Sequence, residues 1–281
     1  MTPSARNGGD PEAEEHEADD GGTAAPQFVQ TFGRGLAVLS AFDFEHPQLT
    51  LSDAARRAGV TRAAARRLLH TLVQLGYVRA DGRYFALRPK VLELGYAYLS
   101  SLALPEAALP HLETLAERVH ESAYMSVLDG QETVCVANVP IRRIWQASIS
   151  VGTRMPAYAT AAGRVMLADK DDAAIEAFLA EAKLVAVTPH TTSDPERLRA
   201  QLEKVRQQGY ALVDHELEEG LRTVGVPVRS RDRVVAALSF STLTGRIAAS
   251  DAVEEMLPPL KAAAEALEED LHSLERARVI R

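Results

Sequence analysis

Cysteine is nearly missing from this chain. Its 281 residues include one, Cys135, which excludes an intrachain disulfide and any zinc site built from several thiolates. That thiol lies in the apolar run TVCVANV and reads as a buried strand residue. Tryptophan is also single, and aromatic residues make up 5% of the chain against 46% hydrophobic, so aliphatic side chains must build the cores. Long apolar runs are missing too. The longest stretch without Asp, Glu, Lys or Arg runs from Gly21 to Gly33, too short and too polar for a transmembrane helix. The first 26 residues lack the apolar segment of a secretory signal, and their acidic, Gly- and Ala-rich composition predicts a disordered tail on a cytoplasmic protein.

Nucleotide-binding and hydrolytic signatures are likewise missing. No GxSxG, Walker A or HExxH pattern occurs, and Gly33-Arg34-Gly35 lacks the preceding strand and third glycine of a dinucleotide fingerprint. Eight histidines are scattered without metal-ligand spacing. No catalytic residue, cofactor or metal is expected, although His190 and His215 near Asp214 and Glu216 leave a metal-dependent enzyme as one alternative.

An overall excess of positive charge is also lacking: Lys and Arg total 31 against 39 Asp and Glu, for a net charge of −8. The distribution is uneven. Residues 1–26 hold one Arg against seven acids, residues 27–92 hold ten cations against four acids, and residues 93–281 hold 20 against 28. A basic segment between acidic ones is the footprint of a domain that meets a polyanion.

Within that segment, Leu36, Leu39 and Phe42 mark a first helix by their spacing. Thr50 or Ser52 starts a second, with Asp53 in its first turn and Gly59 at its end. Thr61 caps a third, whose inward stripe is Ala65, Leu68, Leu69, Leu72 and Val73. Arg62, Arg66 and Arg67 then project to solvent, and small residues at Ala63 and Ala64 leave the helix N-terminus slim enough for a major groove about 12 Å wide. Tyr77-Val78 and Tyr84-Phe85 flank Asp81-Gly82, a hairpin signal. Arg79, Arg83 and Arg88 lie on or beside this wing. Thr61, Arg62, Ala63, Arg66, Arg67 and Arg83 are the candidate DNA-contacting residues of a winged helix-turn-helix spanning 27–90. Residues 91–104, with Leu92, Leu94, Tyr96, Tyr98, Leu99 and Leu102, read as a linker helix apolar on nearly all sides, suited to pairing with a second copy.

Residues 105–281 read as an α+β domain with an antiparallel sheet. Helices are expected near 106–121, 160–168, 171–181, 195–208 and from Ser250 onward, and strands near 123–129, 132–139, 144–151, 210–214, 222–229 and 234–242. A loop runs to Tyr158. Thr160 then caps a helix whose first turn is Ala161, Ala162 and Gly163, where small side chains leave backbone N–H groups open to a carboxylate or simply favour close packing. Ser239 and Ser241 share one strand face, with Thr223 beside them. Arg154 can pair with a carboxylate or brace its own loop. Met155, Tyr158 and Trp145 are candidate wall or core.

The winged helix together with GTRMPAYATAAGRVMLA, GYALVDHELEEGLRTVGVPV and LSFSTLTGRI resembles the isocitrate lyase regulator (IclR) family of bacterial transcription factors over nearly the whole chain. RRIWQASISVGTRMPAYATAAGRVMLA is most similar to the branch controlling protocatechuate, 4-hydroxybenzoate and β-ketoadipate catabolism. The resemblance implies a dimerising linker helix, a GAF-like C-terminal domain that binds a small organic acid, and dimers or dimers of dimers. It implies an effector lying against Ala161, Ala162 and Gly163, with polar contacts from Thr223, Ser239 and Ser241. Two departures stand out. Thr223 occupies a position where some relatives have Cys or Ser, and Val213 lies where some have an acid, leaving Asp214 on the other strand face.

The expected function is that of a ligand-responsive regulator binding a double-stranded DNA operator and a small, aromatic acid effector. Besides the metal-dependent enzyme, the alternative is a constitutive DNA-binding protein whose second domain only oligomerises.

Overall fold

The computed structural model describes residues 28–43, 45–101, 104–141, 149–248 and 250–279. The expected N-terminal tail and Trp145 and Leu102 lie outside them. The chain divides into two compact units, Met1–Glu93 and Leu94–Arg281.

In the first unit, α1 (Gln30–Leu39), β1 (Gln48–Thr50), α2 (Leu51–Arg57), α3 (Arg62–Gln74), β2 (Val78–Asp81) and β3 (Tyr84–Leu87) follow in order. Thr50 and Thr61 cap α2 and α3 by accepting from the Asp53 and Ala64 N–H groups. Thr50 also donates its hydroxyl to Asp53, a reciprocal arrangement that holds the Asp53 carboxyl below its usual range. Gly59, with φ +64°, turns the chain between the two helices. Val38, Ala54, Leu69 and Val78 form the core. The strand β1 was not legible in the sequence: Leu49 is buried, and Gln48, Leu49 and Thr50 pair with Ala86, Phe85 and Tyr84, making a three-stranded sheet in the order β1-β3-β2.

Helix α4 (Leu92–Ser101) contains the division between the units. In the single chain Leu92, Leu94, Tyr96 and Tyr98 are all at least half exposed, the apolar surface that pairing with a second copy would cover.

The second unit begins with α5 (Leu104–Val119), β4 (Ala123–Asp129), β5 (Glu132–Val139) and β6 (Arg154–Pro156). After a single 3-10 turn, Ala157–Ala159, come α6 (Ala161–Ala168), α7 (Asp172–Glu181), α8 (Pro195–Gln208), β7 (Ala211–Asp214), β8 (Leu221–Ser230), β9 (Arg233–Leu243) and α9 (Ala252–Val279). The six strands form one antiparallel sheet in the order β6-β5-β4-β9-β8-β7. Alternation divides its side chains: Met125, Val224, Val226, Leu238 and Phe240 pack with α5 and α9, whereas Val213 and Ala237 pack with α6 and α8.

The strand expected over 144–151 does not reach its described end, since Val151-Gly152 is a turn closed by the Thr153 N–H on the Ser150 carbonyl at 2.9 Å and tied to β5 by the Gly152 N–H on the Cys135 carbonyl at 2.8 Å. Pairing resumes where a loop was expected, with β6 joining the edge of β5 through Glu132, Thr133 and Val134. The buried Met155 between more exposed neighbours anchors it.

Leu69→Ala should lower the stability of the first unit by about 2–5 kcal/mol, the cost of a cavity at a fully buried leucine. The check is a urea titration followed by circular dichroism; an unchanged midpoint would remove Leu69 from the core.

Candidate functional site

The sequence-predicted residues fall into one group in each unit. In the first, Ala65, Leu69 and Leu72 turn the inner side of α3 to the core, leaving Thr61, Arg62, Ala63, Arg66 and Arg67 exposed. Among the described residues, the guanidinium groups of Arg62, Arg66 and Arg67 have no hydrogen-bond or ion-pair partner. The arginines of α2 differ: Arg56 pairs with Asp53 at 2.9 Å, and Arg57 is held by Asp43 and the Ala41 carbonyl. Local charge counting could not separate these struts from the open cations of α3. On the hairpin, Arg83 lies over the Tyr84 ring at 5.0 Å and donates to its hydroxyl at 2.8 Å. An exposed helix end carrying three unshared guanidiniums, with a basic hairpin following, is suited to a phosphate backbone and the groove beside it.

In the second unit a small cavity lies on the α6 side of the sheet, lined by Tyr124, Ile149, Met155, Ala159, Thr160, Val213, Glu216, Leu217, Glu218, Leu221, Thr223 and Ser241. Thr223 and Ser241 face each other in register and share a hydrogen bond of 2.8 Å, and Tyr124 continues the chain to Ser241 at 3.2 Å. Three hydroxyls thus form one relay against aliphatic walls. Burial pushes the Tyr124 phenol up to about 12, so it is neutral at physiological pH. Sequence reasoning missed Tyr124, although its alternation on β4 with the core residue Met125 was a usable signal. The cavity holds about 50 Å³, room for a few waters but about a third of a cavity known to admit benzene.

Ser239 is on the same strand face as Ser241, but it is fully buried and its Oγ has no hydrogen-bond partner. It lies close to Gly225, which is itself packed under Ala161. Thr160 caps α6, taking the Gly163 N–H on its own hydroxyl at 3.0 Å. That amide is therefore occupied, and Gly163 serves packing: a Cβ there would sit 2.1 Å from the Ala157 carbonyl oxygen. Ala161 and Ala162 are buried beside it. Of the sequence-predicted pocket residues, Met155, Thr223 and Ser241 line the cavity; Arg154, Tyr158, Ala161, Ala162, Gly163 and Ser239 do not.

Arg154 braces its surroundings: Nε donates to Glu132 and Nη2 to Asp129, both at 2.7 Å, and these bonds push its guanidinium further above the usual range. The Tyr158 hydroxyl donates to the Val185 carbonyl and accepts from the Val185 N–H. Asp214 pairs with Arg222 across the β7–β8 ladder. The His190 and His215 rings lie 5.1 Å apart, but His215 Nδ1 accepts from the Gly220 N–H, and no metal-holding cluster occurs among the described residues. Cys135 is buried, its thiol pushed up to about 11. A larger cleft of about 420 Å³ opens on the opposite sheet face around Glu121, whose carboxyl is pushed up by burial; it contains none of the sequence-predicted residues.

The family model for the IclR helix-turn-helix domain matches residues 32–82, and that for the bacterial transcriptional regulator IclR C-terminal matches residues 96–269. The Pca regulon regulatory protein of Pseudomonas putida is 43% identical over 243 residues, covering 86% of this chain and 84% of that protein. A transcriptional regulator from Rhodococcus sp. RHA1 of known structure is 46% identical, with a TM-score of 0.78 over 88% of this chain and 100% of the other. An IclR homolog from Microbacterium hydrocarbonoxydans, solved in complex with 4-hydroxybenzoate, is 29% identical, with a TM-score of 0.76 over 86% and 99% of the two chains.

Gly163→Ala should cost about 1–3 kcal/mol by overpacking, with Gly95→Ala as a control in open space; equal melting temperatures would contradict the close contact. Tyr124 gives a pH signature. Its folded value lies above the ordinary 10.0, so its contribution to stability is intact below about pH 10 and is lost as the pH rises through about 12. Denaturant titrations across that range should show a loss that is smaller in Tyr124→Phe.

Proposed function

The chain belongs to the IclR family of bacterial transcriptional regulators, and from that premise we propose that it binds its operator through α3 and the hairpin and is controlled by a small aromatic acid held in the second unit. The carrying observation is the Thr223–Ser241–Tyr124 hydroxyl relay inside an aliphatic cavity. The walls formed by Met155, Val213, Leu217 and Leu221 match a ring in chemical character and the relay matches a polar substituent, while the volume of about 50 Å³ requires the cavity to widen before a ring enters. The complex of the Microbacterium homolog with 4-hydroxybenzoate supports this ligand class.

On this reading Thr61, Arg62, Ala63, Arg66, Arg67 and Arg83 meet DNA, Arg62 and Arg66 at base edges or phosphate and Arg67 and Arg83 at phosphate. Met155, Thr223 and Ser241 meet the effector directly. Ser239, Ala161, Ala162 and Gly163 form the packed layer behind it, while Arg154 and Tyr158 hold the surrounding loops. Residues 27–90 act as the DNA-binding domain, 105–281 as the effector domain, and 91–104 as a linker whose exposed Leu92, Leu94, Tyr96 and Tyr98 pair with a second copy. Two heads in a symmetric dimer would read two half-sites. The regulator works in the cytoplasm; among the described residues no helix is long and apolar enough to cross a membrane. Regulation requires that the effector bind two arrangements of the dimer with different affinity, since equal affinity shifts nothing.

Thermal unfolding with protocatechuate, 4-hydroxybenzoate, β-ketoadipate and glyoxylate tests the ligand class. A saturable rise in melting temperature with an aromatic acid is expected; a response to glyoxylate alone would overturn the aromatic assignment. For DNA, Arg66→Ala should weaken operator binding and reduce the slope of log affinity against log salt by about one. Unchanged affinity and slope would take Arg66 out of the interface.

A further inference from the structure

A buried ion pair borders the cavity. Arg164 on α6 and Glu216 in the β7–β8 loop are 3% and 7% exposed. Arg164 donates from Nη2 to Glu216 Oε2 at 2.6 Å and from Nε to the Tyr158 carbonyl at 2.8 Å. The same Oε2 accepts from the Thr192 N–H at 2.7 Å. A guanidinium and an amide converging on one carboxylate oxygen, away from water, make a cradle for an organic acid. Here the chain fills it with its own side chain.

Glu216 also lines the cavity, and among the described residues the other charged lining residue is Glu218. Arg154, the cation expected from the sequence, is bound outward by Glu132 and Asp129. Among the described lining residues, an organic acid entering the cavity therefore meets two carboxylates and no cation. The hydroxyl relay can hydrogen-bond such a ligand but cannot neutralise it, and like charges repel more strongly where water is excluded. Nor is there room, at about 50 Å³, for a ring beside Glu216.

We propose that an acidic ligand exchanges with Glu216, its carboxylate taking over Arg164 and the Thr192 N–H while Glu216 turns out to solvent with its loop. This rests on reading the cavity as an organic-acid site. Exchange leaves the buried Arg164 paired throughout, avoiding the penalty of an uncompensated buried charge. The departing loop already carries exposed Glu218 and Glu219. Its Glu216 carbonyl accepts from Thr191 at 2.6 Å, so its movement reaches the segment ahead of α8. Arg164 thereby selects acids over neutral analogues, and Glu216 sets how strongly a ligand must compete.

The test uses the full chain, calorimetry, and two probes: 4-hydroxybenzoate and neutral 4-hydroxybenzamide. Glu216→Gln keeps a carbonyl acceptor for Thr192 but removes the competing charge. It should tighten 4-hydroxybenzoate binding about tenfold or more, equivalent to 1.4 kcal/mol, and leave 4-hydroxybenzamide unchanged. Hydrogen exchange on the wild-type chain supplies a readout independent of any variant: peptides covering 215–221 should exchange faster with 4-hydroxybenzoate bound. Equal tightening of both probes, no tightening, or slower exchange in that loop would overturn the exchange. A wild-type chain that binds the acid while Glu216→Gln binds it no better would overturn this inference alone. A wild-type chain that binds neither probe would overturn the reading of the cavity and this inference with it.

Discussion

The arrangement of the second unit depends on how closely α6 approaches the sheet. Gly163 sits against the Ala157 backbone, and a Cβ at Gly225 would lie 2.9 Å from the Ala161 backbone. The absent side chain at Gly225 lets the helix start come down onto β8, and the one at Gly163 lets the Ala157–Ala159 turn fold against the helix. Ser239 is sealed beneath that contact, while Thr223 and Ser241, further along, remain at its edge and open into the cavity. A larger residue at Gly225 would push the helix start away from β8, and one at Gly163 would push the preceding turn away from the helix. Small residues at a helix start are usually discussed as access for a ligand; here the Thr160 cap and the packing of Gly163 give them a supporting role.

Charge is used differently in the two units. The first presents unshared guanidiniums at one end of α3, while the arginines of α2 are tied into ion pairs that brace the fold. In the acidic second unit, Arg154, Arg164 and Arg222 are each taken by carboxylates. The guanidiniums of α3 are therefore available to a polyanion, whereas Arg154 and Arg164 reach a ligand only by giving up a carboxylate partner.

Most elements were legible from local signals. Caps at Thr61, Thr160 and Asp194 and glycines after helices lie close to the observed boundaries, because hydrogen bonds within three residues determine them. The short strands β1 and β6 were not, since three residues carry no period and their pairing comes from distant partners. The site was only partly readable. Alternation placed Ser239 and Ser241 on one face, but burial of one and exposure of the other to the cavity depends on Ala161, far away in sequence. The sequence left Arg154 open between a ligand contact and a brace, because Asp129 and Glu132 meet it only through the β5–β6 pairing. Tyr124 lay outside every quoted motif and Glu216 lay within one without an assigned contact; only the fold shows that they meet Ser241 and Arg164.

Thr223 and Ser241 stand directly opposite each other and spend their hydroxyls partly on one another. Replacing either one alone changes two things at once, the hydroxyl facing the cavity and the partner left behind on the neighbouring strand. Groups that share a hydrogen bond respond non-additively to substitution. The polarity of this cavity is therefore set by 223 and 241 as a pair, and changes made at one position do not foretell those made at both.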